Sequence, residues 1–176
     1  MHSRQWSSRG FTLIELLVVV AIVGILASIS MGLYIHARVQ GNEASAIASL
    51  ESVNQAQFAF AQACGGQHFA SSLASLAVPM PSTGAGFLSP DLAADPLLKA
   101  GYQFVMGGTP LGGDQKSCTD EGLLQGYFVT ADPERPGISG RRFFATSTDR
   151  VIFTDAASFT GTMPETGAPP QGAELK

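Results

Sequence analysis

Twenty consecutive residues, Leu16 to Ile35, contain no Asp, Glu, Lys, Arg or His. As an α-helix that run is about 30 Å long, the thickness of the hydrocarbon core of a bilayer. Its N-terminal flank is short and basic, with Arg4 and Arg9. The only acidic side chain ahead of Glu43 is Glu15, at the edge of the apolar run. A carboxylate inside a membrane helix costs on the order of 2–3 kcal/mol at mid-bilayer, less near the interface, and so calls for a partner. Arg9 is six residues away and not on the same helical face. The partner is therefore expected outside the helix.

Gly10-Phe11-Thr12-Leu13-Ile14-Glu15, followed by Leu16-Leu17-Val18-Val19-Val20-Ala21-Ile22-Val23-Gly24-Ile25-Leu26-Ala27, resembles the N-terminus of the type IV pilin and type II secretion pseudopilin superfamily. The resemblance implies cleavage by a prepilin peptidase between Gly10 and Phe11, and N-methylation of Phe11. It also implies a partner for Glu15, the α-amino group of a neighbouring subunit's first residue, so that Glu15 sets subunit register. A secretory signal is cut after its apolar region. Here Gly10 precedes that region, although Ala27-Ser28-Ile29-Ser30 could pose as a conventional cleavage site.

The 176 residues suffice for one domain behind a membrane helix. The formal charge is −4, and loss of Arg4 and Arg9 with the first ten residues leaves −6. That balance argues against nucleic acid as a partner, since phosphate contacts need a basic face. Positive charge before the apolar run places the leader on the cytoplasmic side and the rest outside the inner membrane. Cys64 and Cys118 then sit in an oxidising compartment, with neither a CxxC nor a zinc spacing. A disulfide is expected, worth about 4 kcal/mol by loop closure; two free thiols are the alternative.

From Arg38 to Ala63 there is no proline, and Ile47, Leu50, Val53, Phe60 and Cys64 recur on one helical face. Glu43, Glu51 and Gln55 are expected to point away from it. One helix from Phe11 to about Ala63 would be roughly 80 Å long, apolar all round at first and amphipathic beyond Ala37. Many type IV pilins carry a proline where this chain has Gly32; Gly32 and Gly41 either soften the helix or allow close packing of neighbours. Gly65-Gly66 ends it. Ser71–Val78 reads as a short helical turn, and Ser89-Pro90-Asp91 as a helix start. Four β-rich runs follow: Tyr102–Met106, Tyr127–Ala131, Arg142–Thr146 and Val151–Thr154.

The expected fold is α+β, a long helix packed against an antiparallel sheet of about four strands. The expected divisions are a leader (1–10), a transmembrane or filament-core segment (11–37), an amphipathic half-helix (38–64), a head (65–157) and a flexible tail (158–176). The head is also similar, more loosely, to those behind this type of N-terminus.

No catalytic constellation stands out. His2 falls in the leader, His36 at the membrane exit, and His68 beside Cys64 without a third ligand. Some secretion pseudopilins bind calcium, and Asp132, Asp149 and Asp155 could supply oxygens, although turn and cap duty suits them better. Arg135, Arg141, Arg142 and Arg150 are read as a solvated edge, with a contact to DNA or to an acidic partner surface as the alternative. The chain is expected to be a structural subunit of a type II secretion pseudopilus or a type IV pilus, not an enzyme, and without cofactor. Its expected partners are copies of itself, other pilin-like subunits, prepilin peptidase, the inner-membrane assembly platform and lipid. The competing reading is a monomeric single-pass membrane-anchored periplasmic binding domain.

Overall fold

In the computed structural model, which describes residues 11–175 (side chains of 29–31 excepted), α1 runs Leu13–Ala63. The expected leader, 1–10, lies outside the described residues. The chain divides into two units, Met1–Ala37 and Arg38–Lys176. In the first, every described side chain is exposed, from Phe11 at 82% to Ile35 at 48%. Among the described residues no single helix is long and apolar enough by itself to cross a membrane; Leu13–Ser28 and Gly32–Ala63 meet that measure only together.

The second unit is α+β. Its helix supplies Leu50, Val53 and Phe60 to a core, joined by Cys64 in the turn just after the helix, all at most 8% exposed, with Ile47 packed at its margin. Glu51 and Gln55 face solvent, but Glu43 does not. The outward placement expected for Glu43 is overturned: it is 6% exposed because the loop 134–142 brings it hydrogen-bond donors that offset its dehydration. The helix stops at Gly65. A Cβ there would lie 2.1 Å from the carbonyl oxygen of His68, and the Gly65 N–H donates to Phe60 at 2.8 Å. Beyond it, β1 (Phe69–Ala70) pairs with β4 (Leu123–Leu124) in a small sheet of its own. Next comes α2 (Leu73–Ala77), which Ser72 and Ser75 close with a reciprocal capping box. A 3-10 turn, Pro90–Leu92, follows.

The main sheet is antiparallel and has six strands, not four, in the order β2-β3-β5-β6-β7-β8. The four expected strands are β3 (Tyr102–Gly107), β5 (Phe128–Pro133), β6 (Phe143–Ser147) and β7 (Ile152–Asp155). The two extra strands lie at the edges. They are β2 (Leu97–Lys99) and β8 (Ala173–Glu174), too short to carry an alternating pattern.

Cross-strand partners share a face. Tyr102, Phe104, Met106, Val129, Ala131 and Phe144 all join the core that holds the helix residues. Ala145, paired with Phe153, faces the other way. That second face is covered by the C-terminal segment, which corrects the expectation of a flexible tail. Phe159 is fully buried and Met163 is 6% exposed; they pack with Phe128, Phe143, Ala145 and Phe153. The returning chain is held by Thr148 N–H on the Glu165 carbonyl (3.2 Å) and Leu175 N–H on Ile152 (2.8 Å). An apolar second face cannot stay wet, so a Gly- and Pro-rich segment carrying one aromatic closes over it.

Candidate functional site

Phe11 and Glu15 lie in the first unit; Gly10 and the expected scissile bond lie outside the described residues. Phe11 is exposed. Thr12 precedes the first helical residue, and its N–H and Oγ1 both donate to Glu15 Oε2, at 2.9 and 2.7 Å. The Glu15 N–H in turn donates to Thr12 Oγ1 at 3.3 Å. This is a capping box: two donors that a helix start leaves bare are satisfied, one by each partner. It also presents the carboxylate at the positive end of the helix. Sequence reasoning passed over Thr12, although Thr-x-x-Glu was there to be read. Among the described residues Glu15 has no cationic partner.

Cys64 and Cys118 are joined as a disulfide, with Cα atoms 4.9 Å apart. The Cys118 N–H also donates to the Cys64 carbonyl at 3.1 Å, so the 108–122 loop is tied twice to the end of α1. With its sulfur bonded, Cys64 offers no ligand or nucleophile to His68. A recess of about 500 Å3 opens beside this loop, between Ser71, Pro110 and Leu124, with Asp114 and Lys116 as its charged groups.

The three candidate aspartates do not converge. Asp132 Oδ2 accepts from Ser158 Oγ and from Thr160 Oγ1. Asp149, in the turn after β6, accepts from the Gly167 N–H. Asp155, at the opposite end of β7, accepts from the next N–H. Among the described residues no three His, Cys, Asp or Glu side chains are grouped to hold a metal. The arginines also separate. Arg150 lies over the Phe58 ring, 4.5 Å from its centroid, at the β6–β7 turn. Arg135, Arg141 and Arg142 sit at the other end of β6, in the loop 134–142.

Two polar clusters that apolar periodicity could not show fasten the helix to the head. Glu43 accepts the N–H groups of Arg141 (2.9 Å) and Arg142 (3.3 Å), and pairs with the Arg142 guanidinium at 2.8 Å. Burial pushes the Glu43 carboxyl up, but these bonds and the guanidinium outweigh it and hold the group below its ordinary value. Deeper in, Tyr127 OH donates to Asn54 Oδ1 (3.0 Å), and Asn54 Nδ2 to Thr146 Oγ1 (2.9 Å). Thr146 Oγ1 passes its proton on to the Val151 carbonyl (3.0 Å). Each buried polar atom in that chain has a partner, so a fully buried threonine and phenol are tolerated.

The first unit is thus a helix whose described side chains are mostly apolar and all exposed, begun by a capped acid, and the second is a disulfide-closed α+β head. Residues 7–31 match the prokaryotic N-terminal methylation motif, the signature of type IV pilins and pseudopilins. The motif supports a pilin-like or pseudopilin subunit in general. No curated protein and no solved structure matches the chain.

Proposed function

We propose that the protein is a structural subunit that waits in the inner membrane, loses residues 1–10 to a prepilin peptidase, and is drawn into a helical filament. It performs no reaction and takes no cofactor; it is the peptidase's substrate. The observation that carries this reading is the methylation motif, residues 7–31, together with the exposure of every apolar side chain described from Phe11 to Ile35. An apolar rod in water is unstable, and lipid or copies of the same rod are its two remedies. Gly24, Gly32 and Gly41 fit that use. Among the described residues a Cβ at any of them would meet nothing within 4 Å, so no contact there asks for their small size. Close approach of neighbouring helices would.

Cleavage frees an α-amino group at Phe11, and a neighbour's Glu15 carboxylate compensates it out of water. The capping box occupies Oε2 and leaves Oε1 for that partner. The assembly platform and other pilin-like subunits are the remaining partners. The same rod serves a type II secretion pseudopilus or a type IV pilus, and recovery of filaments from the periplasm or from outside the cell separates the two.

N-terminal mass spectrometry of the mature protein tests the reading. N-methylated phenylalanine at position 11 is expected. A mature chain that keeps residues 1–10 overturns it. Glu15→Ala should leave processing intact and abolish filaments; filaments at wild-type level would remove the register role.

A further inference from the structure

We propose that the loop 134–142, together with Arg38, is a surface that rests on anionic phospholipid headgroups while the subunit waits in the membrane. The inference deepens the function proposed above and rests on its membrane-held stage.

The loop is a built feature. Asn42 Nδ2 donates to the Ser139 carbonyl at 2.8 Å, and Glu43 takes the two N–H groups that follow. Inside the loop, Ser139 Oγ accepts the Arg135 N–H (3.0 Å), and the Arg135 carbonyl accepts from Ile138 and Ser139. The backbone is thereby spent inward, and what remains outward is chemically specific. Ile138 is 55% exposed at the tip. Arg38, Arg135 and Arg141 are exposed and, among the described residues, form no ion pair.

Positive charge is placed here. Residues 11–176 carry eight Lys and Arg, and four of them are Arg38, Arg135, Arg141 and Arg142. The acidic groups nearby are Glu43, already paired with Arg142, and Glu134 in the loop itself. Asp132 and Asp155 lie at the same end of the sheet, but on the face away from the core that the helix shares.

Covalent continuity sets where this surface can work. Glu43, which anchors the loop, is eight residues beyond Ile35, the end of the apolar run. Those residues span about 12 Å as helix and at most about 28 Å extended. The loop is thus leashed within reach of the headgroups whatever the orientation of the head. Guanidinium matches phosphate in a two-pronged way that ammonium does not. An aliphatic tip flanked by arginines can enter the boundary between headgroup and chain. Each arginine near an anionic leaflet shifts such an equilibrium about fivefold. Arg150, over Phe58 at the far end of β6, is the internal control.

The test uses the full chain, one copy per lipid nanodisc, in phosphatidylcholine alone or mixed with phosphatidylglycerol. Amide exchange across 134–142 should slow about fivefold or more in the anionic discs at low salt, while 148–151 stays unchanged. Arg38→Gln, Arg135→Gln and Arg141→Gln together should abolish the slowing without lowering the melting temperature, since the loop's internal bonds use backbone atoms of Arg135 and Arg141. Equal exchange in both lipids overturns the inference, as does slowing that survives the triple substitution. Slowing that needs two copies per disc assigns the surface to a second copy and overturns it too. A chain that enters neither disc refutes the membrane-held stage itself, a failure visible before any exchange is read.

Discussion

Replacing Glu43 with alanine strips one acceptor from two backbone N–H groups and a guanidinium at once. Breaking a fully buried ion pair from one side costs about 3–5 kcal/mol. Here the Arg142 side chain is 47% exposed and can be rehydrated, so the stranded charge is only part of that figure. The unpaired N–H of Arg141 adds about 1–3 kcal/mol where water cannot reach it. Together these predict a loss of about 2–4 kcal/mol for Glu43→Ala, and about 1–2 for Glu43→Gln, whose amide oxygen still serves the backbone. For a unit of this size that is on the order of 10 °C in melting temperature for the alanine variant.

The pH dependence supplies a second readout. The folded-state pKa of Glu43 lies below the ordinary 4.5, so between the two values the unfolded chain binds more protons. The contribution is therefore complete above pH 4.5 and fades as pH falls through the lowered folded value. Urea unfolding of wild type and Glu43→Gln, disulfide intact, should differ at pH 7 and converge in acid. A loss under about 0.5 kcal/mol for Glu43→Ala, or an equal gap at pH 3 and pH 7, would refute the reasoning.

Two further outcomes follow from the packing. Phe159→Ala empties a fully buried site on the outer face of the sheet and should cost about 3 kcal/mol, with faster amide exchange across 158–175; a change within about 0.5 kcal/mol by urea titration would return that segment to the status of a loose tail. Tyr127→Phe should cost about 1–2 kcal/mol, at the low end because Thr146 Oγ1, 3.1 Å from Asn54 Oδ1, can turn to replace the lost donor; a cost above about 3 kcal/mol would mean that the hydroxyl does not rotate.

The features on which the proposed association rests are mostly local, and local order is what a sequence displays. The apolar run, Phe11 and Glu15 lie within a few turns of one another, and even the missed Thr12 follows from a four-residue pattern. The same holds for the helix face of Leu50, Val53 and Phe60, the stop at Gly65 and the four long strands, where periodicity and backbone freedom speak directly. Glu43, Asn54 and the fully buried Gln57, whose Oε1 accepts the Ala70 N–H at 2.9 Å, were not legible, because polar residues on a helix are read as outward unless their partners are known. Those partners sit 98, 92 and 13 residues away along the chain. The edge strands escaped because two or three residues make no pattern. The C-terminal segment escaped because its composition resembles linker, while its fate depended on an apolar sheet face it could cover. Sequence alone thus settled which stretch must avoid water. Only the tertiary structure decided which charged and polar groups could afford to leave it, since dehydration is repaid by donors that folding brings from afar.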